Sequence, residues 1–187
     1  MKKIFIIILI FITYISCKTS LNRIDITQDK TDKSIVLYYS KKMKTISVVS
    51  FPIAISIINN SSSDKHFLMF GYKYGRKGNP INMYINKSEK LIRQSVSSKK
   101  SLSSNSTQKY LIYTKHFVDT TRFNRNYFSE VIEELKVKNK DTIHIKNISK
   151  FKTKFNNLYD YLIKNDSLYI QLLDNNNQNK RITTPIK

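Results

Sequence analysis

The chain is nearly empty of the residues from which familiar functional sites are built. A single cysteine, Cys17, allows no intrachain disulfide. With no cysteine pair and no tryptophan, the immunoglobulin signature is absent. The three glycines are Gly71, Gly75 and Gly78, and they fall in a segment without Walker spacing or a strand–loop–helix context. Glutamate is confined to Glu89, Glu130, Glu133 and Glu134, and the last three suit the solvent face of a helix better than an acid/base pair. No Gly-x-Ser-x-Gly or comparable nucleophile motif occurs. The histidines are His66, His116 and His144. None has a second histidine or cysteine at ligand spacing, so no metal site and no cofactor is expected. His66 and His116 share a Lys-His-Phe context. An enzyme is not expected.

What the chain has is positive charge. Lysine and arginine number 33 against 13 carboxylates, a formal net charge of +20 with pI near 9.9. Part of this has a compositional origin. Lys, Asn, Ile, Phe and Tyr form roughly half the chain while Ala54 is the only alanine, a strong skew from ordinary usage toward residues with AT-rich codons. Scarce glutamate is not explained in that way, and the residual excess points to an anionic partner. The cations are mostly lysine rather than base-reading arginine, which argues against nucleic acid. Anionic headgroups, lipopolysaccharide phosphates and acidic polysaccharides are the polyanions of a cell envelope; each lysine near such a surface contributes about 1 kcal/mol.

The compartment is indicated by the N-terminus. Lys2 and Lys3 precede the apolar run from Ile4 to Ile15, and Ser16 places a small residue before Cys17. The run is about a dozen residues, short of the roughly 20 that cross a bilayer, and has the grammar of a secretory signal. Tyr14-Ile15-Ser16-Cys17 resembles the lipobox of bacterial lipoproteins, with Tyr where the family usually carries Leu. The resemblance covers the signal alone. It implies cleavage after residue 16, acylation of Cys17, and anchoring by two or three acyl chains, which hold a protein stably where one does not. Lys18-Thr19-Ser20 lacks the acidic cluster that some lipoproteins use for surface display, so the implied orientation is periplasmic. Asn-x-Ser/Thr triplets, as at Asn86, Asn105 and Asn147, are incidental in that setting.

Residues 17–34 are polar and aperiodic and read as a tether able to reach up to about 55–60 Å. Residues 35–187 then form one β-rich domain. Ile35–Tyr39 and Thr45–Val49 are compact apolar runs. Ile53, Ile55 and Ile57 alternate with Ala54 and Ser56 as a half-buried strand requires, ending at the turn Asn59–Ser63. Further strands are expected over His66–Tyr74, Ile81–Ile85, Leu91–Val96 and Tyr110–Phe117. Ser97–Ser106 is Ser-rich and reads as a mobile surface loop. The period then changes. Phe128, Val131, Ile132 and Leu135 form a helical stripe with Asn126 as its cap, acidic residues early and Lys136 and Lys138 late. A strand over Thr142–Ile148 precedes a second helix, about Ser149–Lys164, with Phe151, Phe155, Leu158 and Leu162 on one face. A hairpin, Ser167–Leu173 and Arg181–Ile186 around Asp174–Asn177, closes the chain. The expected class is α+β, mainly β: sandwich-like antiparallel sheets with two helices in the C-terminal third.

Two segments are candidate binding sites. In Gly71–Pro80 the glycines are interleaved with Lys73, Tyr74, Arg76 and Lys77. Backbone amides freed by glycine, with these cations and the Tyr face, could clasp an anion or glycan; a hairpin tip uses glycine equally well. Lys146, Lys150 and Lys154 lie four apart with Lys152 beside them, so Lys150 and Lys154 could present a helix face to anionic headgroups, or be simply solvated. The expected function is that of a membrane-anchored envelope lipoprotein, a non-enzymatic binding or structural module for a protein or polyanionic partner. The alternative is an anchored immunity-type inhibitor of a toxin or hydrolase.

Overall fold

A computed structural model describes residues 24–74, 77–79, 81–88, 90–173 and 179–186. The signal segment and Cys17 lie outside the described residues. The class is α+β and mainly β, the described residues forming three antiparallel sheets with two α-helices late in the chain.

The first sheet contains β1 (Ile24–Asp29), β4 (Pro52–Asn59), β10 (Ser106–Tyr113), β7 (Asn82–Lys87) and β8 (Lys90–Gln94), in that order. The alternation read in β4 holds: Ile53, Ile55 and Ile57 are buried. Residues 24–29, read as tether, are instead an edge strand paired with β4 from Ile24↔Asn59 to Asp29↔Ala54. Ile24 and Ile26 bury against the core, while Asp25 and Thr27 fall on the other face. Two isoleucines at period two suffice because β4 presents a ready apolar edge.

The third sheet is built on β5 (Lys65–Tyr74), with β13 (Ser167–Leu173) and β14 (Asn179–Pro185) along one side. The other side is shared by β6 (Lys77–Asn79) and β9 (Lys100–Leu102). A bulge leaves Leu68 unpaired opposite β13, which is why Phe67 and Phe70, three apart, both reach the core. The Ser-rich segment read as a loop thus contains β9, and its Leu102 is buried. It is held by Asn59, whose buried side-chain amide donates to the carbonyls of Ser63, Leu102 and Ser103 at 2.9–3.1 Å. The same side chain accepts from Ser61 N–H and Oγ. Buried side chains of the first and third sheets share one apolar cluster, the filling of a sandwich.

The second sheet runs β11 (His116–Phe117), β3 (Thr45–Ser50), β2 (Ile35–Ser40), β12 (Thr142–Ile145). Helices α1 (Ser129–Val137) and α2 (Ile148–Ile163) supply the other half of its core. Both apolar stripes read from the sequence are buried, although Phe128 belongs to a 3-10 turn, Asn126–Phe128. The cap differs from expectation: Asn124, not Asn126, accepts the N–H groups of Asn126 and Tyr127. Asn147 caps α2 by accepting from Lys150 N–H at 2.9 Å. The α2 backbone departs from helical geometry at Phe155 (φ −136°, ψ 47°). Among the described residues no helix is long and apolar enough to cross a membrane.

One ladder joins the first two sheets. The register from Ser106↔Asn59 through Tyr113↔Pro52 continues without slip to His116↔Val49 and Phe117↔Val48. At the hand-over, beside a proline that has no N–H to give, Thr114 N–H donates to Phe51 O and Phe51 N–H donates to Thr114 Oγ1, both at 3.0 Å. Thr114→Val is therefore expected to leave the Phe51 amide buried and unpaired. A loss of about 1–3 kcal/mol should follow in urea unfolding.

Candidate functional sites

The glycine-rich segment is a hairpin. β5 and β6 pair from Tyr72↔Asn79 to Tyr74↔Lys77. Lys73 is half-buried, in register with Ser167 and Gly78. Tyr74 is engaged internally: its hydroxyl accepts Lys115 N–H at 2.6 Å, and its ring lies 4.5 Å from that of His116. Burial pushes its phenol up to about 12. Arg76 and the side chain of Lys77 lie outside the described residues.

Behind Tyr74 is a polar constellation that no motif announces. Tyr72 from β5 donates its hydroxyl to Asp166 Oδ2 at 2.8 Å; Asp166 lies between α2 and β13, and its N–H donates to Ile163 O. His116 from β11 places Nδ1 at 3.8 Å from the same carboxylate oxygen, too far for a hydrogen bond. Burial holds the imidazole well down, to about 3, with a weaker opposing contribution from the Leu162 backbone. At neutral pH the His116–Asp166 contact is therefore not an ion pair. Burial, reinforced by Asp166, pushes the Tyr72 phenol far up. His116 is 2% and Asp166 4% exposed, so the constellation ties the sheets together rather than meeting solvent. His66 is elsewhere, 3.0 Å from Ser101 Oγ, and His144 is exposed on β12. Among the described residues no group of His, Cys, Asp or Glu side chains is placed to hold a metal ion.

The open sites are on the surface. A concavity of about 640 Å³ crosses the outer face of the first sheet. Ala54 and Leu111 contribute to its floor, with Lys30, Lys33, Lys109 and Leu91 around them; its carboxylate, Asp29, accepts Ser56 Oγ at 2.7 Å.

A second groove, about 520 Å³, collects the lysines singled out by spacing. Lys150 and Lys154 reach it from α2, and Lys146 and His144 from β12 and the residue after it. The charges do not add simply. Lys154 Nζ lies 2.8 Å from Glu130 Oε2, and Lys138 Nζ 2.6 Å from Glu134 Oε1. Both pairs are solvent-exposed. Among the described residues this leaves Lys146 and Lys150 as the uncompensated cations of the groove. Lys152, outside it, places its ammonium 4.2 Å from the Tyr159 ring centroid. Spacing thus located the lysines, while the strand that forms the opposite wall became visible only in the fold. No protein-family model matches the chain, and no curated protein or solved structure matches it.

Proposed function

We propose that the chain is a membrane-anchored envelope lipoprotein whose folded domain is a non-enzymatic binding module for a protein or polyanionic partner. The observation that carries this reading is the placement of Cys17 directly behind a basic n-region and a short apolar run. The fold adds support. The domain has begun by Ile24, so the stretch from Cys17 spans at most about 25 Å and would hold the first sheet near the bilayer. The Tyr72–Asp166–His116 constellation is sealed, whereas Lys146 and Lys150 stand exposed around an open groove.

The test is the intact mass and membrane partitioning of the expressed protein beside Cys17→Ala. A mass lacking residues 1–16 and carrying acyl chains, with membrane association abolished in the variant, is the expected result. An unacylated, soluble wild-type product would overturn the anchor, and the net charge would then have to be read as a signal for soluble partners.

A further inference from the structure

The groove between β12 and the two helices has a property beyond its charge: it runs along an unpaired sheet edge. β12 is last in the order of the second sheet, and among the described residues it pairs only with β2. Ile143, His144, Ile145 and Lys146 all line the groove. Consecutive residues of a strand point to alternate faces, so a groove touching all four follows the edge rather than one face.

The direction of the free backbone groups follows from the register. Tyr39 N–H donates to Asp141 O at 2.9 Å, which makes 141 opposite 39 a hydrogen-bonded pair. In an antiparallel ladder such pairs alternate with non-bonded ones. Ile143↔Leu37 and Ile145↔Ile35 are then the bonded pairs. Thr142↔Tyr38 and His144↔Val36 are the non-bonded ones, and their N–H and C=O groups on β12 face outward. The isoleucines meanwhile pack against the core beneath the helices.

We propose that this edge accepts an extended acidic peptide segment of a partner protein, added as a fifth strand beside β12 and held by the uncompensated lysines Lys146 and Lys150. Exposed edges invite pairing, and natural proteins guard them with lysine. The same lysines that repel a second copy of this basic edge complement an acidic strand. Main-chain bonds from Thr142 and His144 supply affinity that does not depend on the partner's side chains, and the charges choose the sequence. The inference rests on the binding-module reading but not on the lipid anchor, so failure of either is separately visible.

The experiment uses the full chain in detergent micelles and two short fluorescent peptides, one alternating glutamate with valine, the other lysine with valine. The glutamate peptide should bind and the lysine peptide should not. Binding should slow hydrogen exchange at the Thr142 and His144 amides, leaving the already bonded Ile143 and Ile145 amides little changed. His144→Pro removes an outward N–H that the β2 ladder does not use, a position where an edge strand tolerates proline; it should weaken binding at least tenfold. Lys146→Glu with Lys150→Glu should weaken it similarly and shift preference to the lysine peptide, an independent arm should the proline variant unfold. Absence of glutamate-peptide binding, equal binding of both peptides, or affinity unmoved in folded variants would overturn the proposal. So would binding of anionic vesicles through Lys146 and Lys150 in place of the peptide.

Discussion

Phe51→Ala is expected to lower the unfolding free energy by about 3–5 kcal/mol, the largest effect of any single truncation considered. Phe51 is 1% exposed and sits where the shared ladder passes from the first sheet to the second. Its ring meets three others edge-on: His116 at 5.1 Å, Phe151 at 5.2 Å and Tyr159 at 5.6 Å. Truncation removes the transfer energy of a phenyl group and leaves a void whose walls are aromatic and come from two different elements, β11 and α2. Such walls cannot collapse together without moving α2 relative to the ladder, so the cavity term should be felt nearly in full. At this chain length the midpoint should fall by roughly 10 °C. Phe117→Ala is the matched control. It lies on the same ladder but is 63% exposed, with Lys115 Nζ 5.5 Å from the ring centroid. It should cost less than about 1 kcal/mol. Thermal unfolding of both variants decides the matter: similar losses would mean that Phe51 is not the keystone that its packing indicates.

The contrast between these two phenylalanines shows where sequence reading succeeds and where it stops. Local periodicity is written in the chain. Ile53, Ile55 and Ile57 alternate, and Phe151, Phe155, Leu158 and Leu162 recur at helical spacing; all are buried. Where burial depends on a distant partner, the local pattern is too weak. Ile24 and Ile26 offer two apolar residues among polar ones, and only the edge of β4 makes them a strand. Leu102 is a lone apolar residue in a serine tract, and it is fixed by an asparagine 43 residues away. The Tyr72–Asp166 hydrogen bond spans 94 residues and has no spacing signature at all. The candidate binding site divides in the same way. Lys150 and Lys154 were legible from their interval. The open edge opposite them depends on sheet order, which periodicity does not encode.

The acid stability of the fold should depend strongly on His116. Burial lowers its folded-state value to about 3, from about 6.5 in an unfolded chain. A depressed folded value means that the unfolded state takes up the proton first. The contribution of neutral His116 is therefore complete above about pH 6.5, and it is lost as the pH falls from there toward 3, at about 1.4 kcal/mol per unit. Below the folded value the loss levels off. The groups that face the imidazole do not rescue it: Tyr72 and Tyr74 are phenols contacting its ring, and the Asp166 carboxylate oxygen is 3.8 Å away and already accepts from Tyr72. His116→Phe is the informative variant. Among the described residues Nε2 has no hydrogen-bond partner and the Leu162 backbone contribution is the weaker one, so the ring is held chiefly by edge-to-face packing that phenylalanine can imitate. At pH 7 the variant should be within about 1.5 kcal/mol of wild type. Between pH 6.5 and 4 its stability should decline less steeply by close to one proton, so that it overtakes the wild type in acid. Urea unfolding across that range reads the slope directly. Parallel slopes for the two proteins would show that His116 does not titrate with unfolding, and the acid sensitivity would then have to come from the carboxylates.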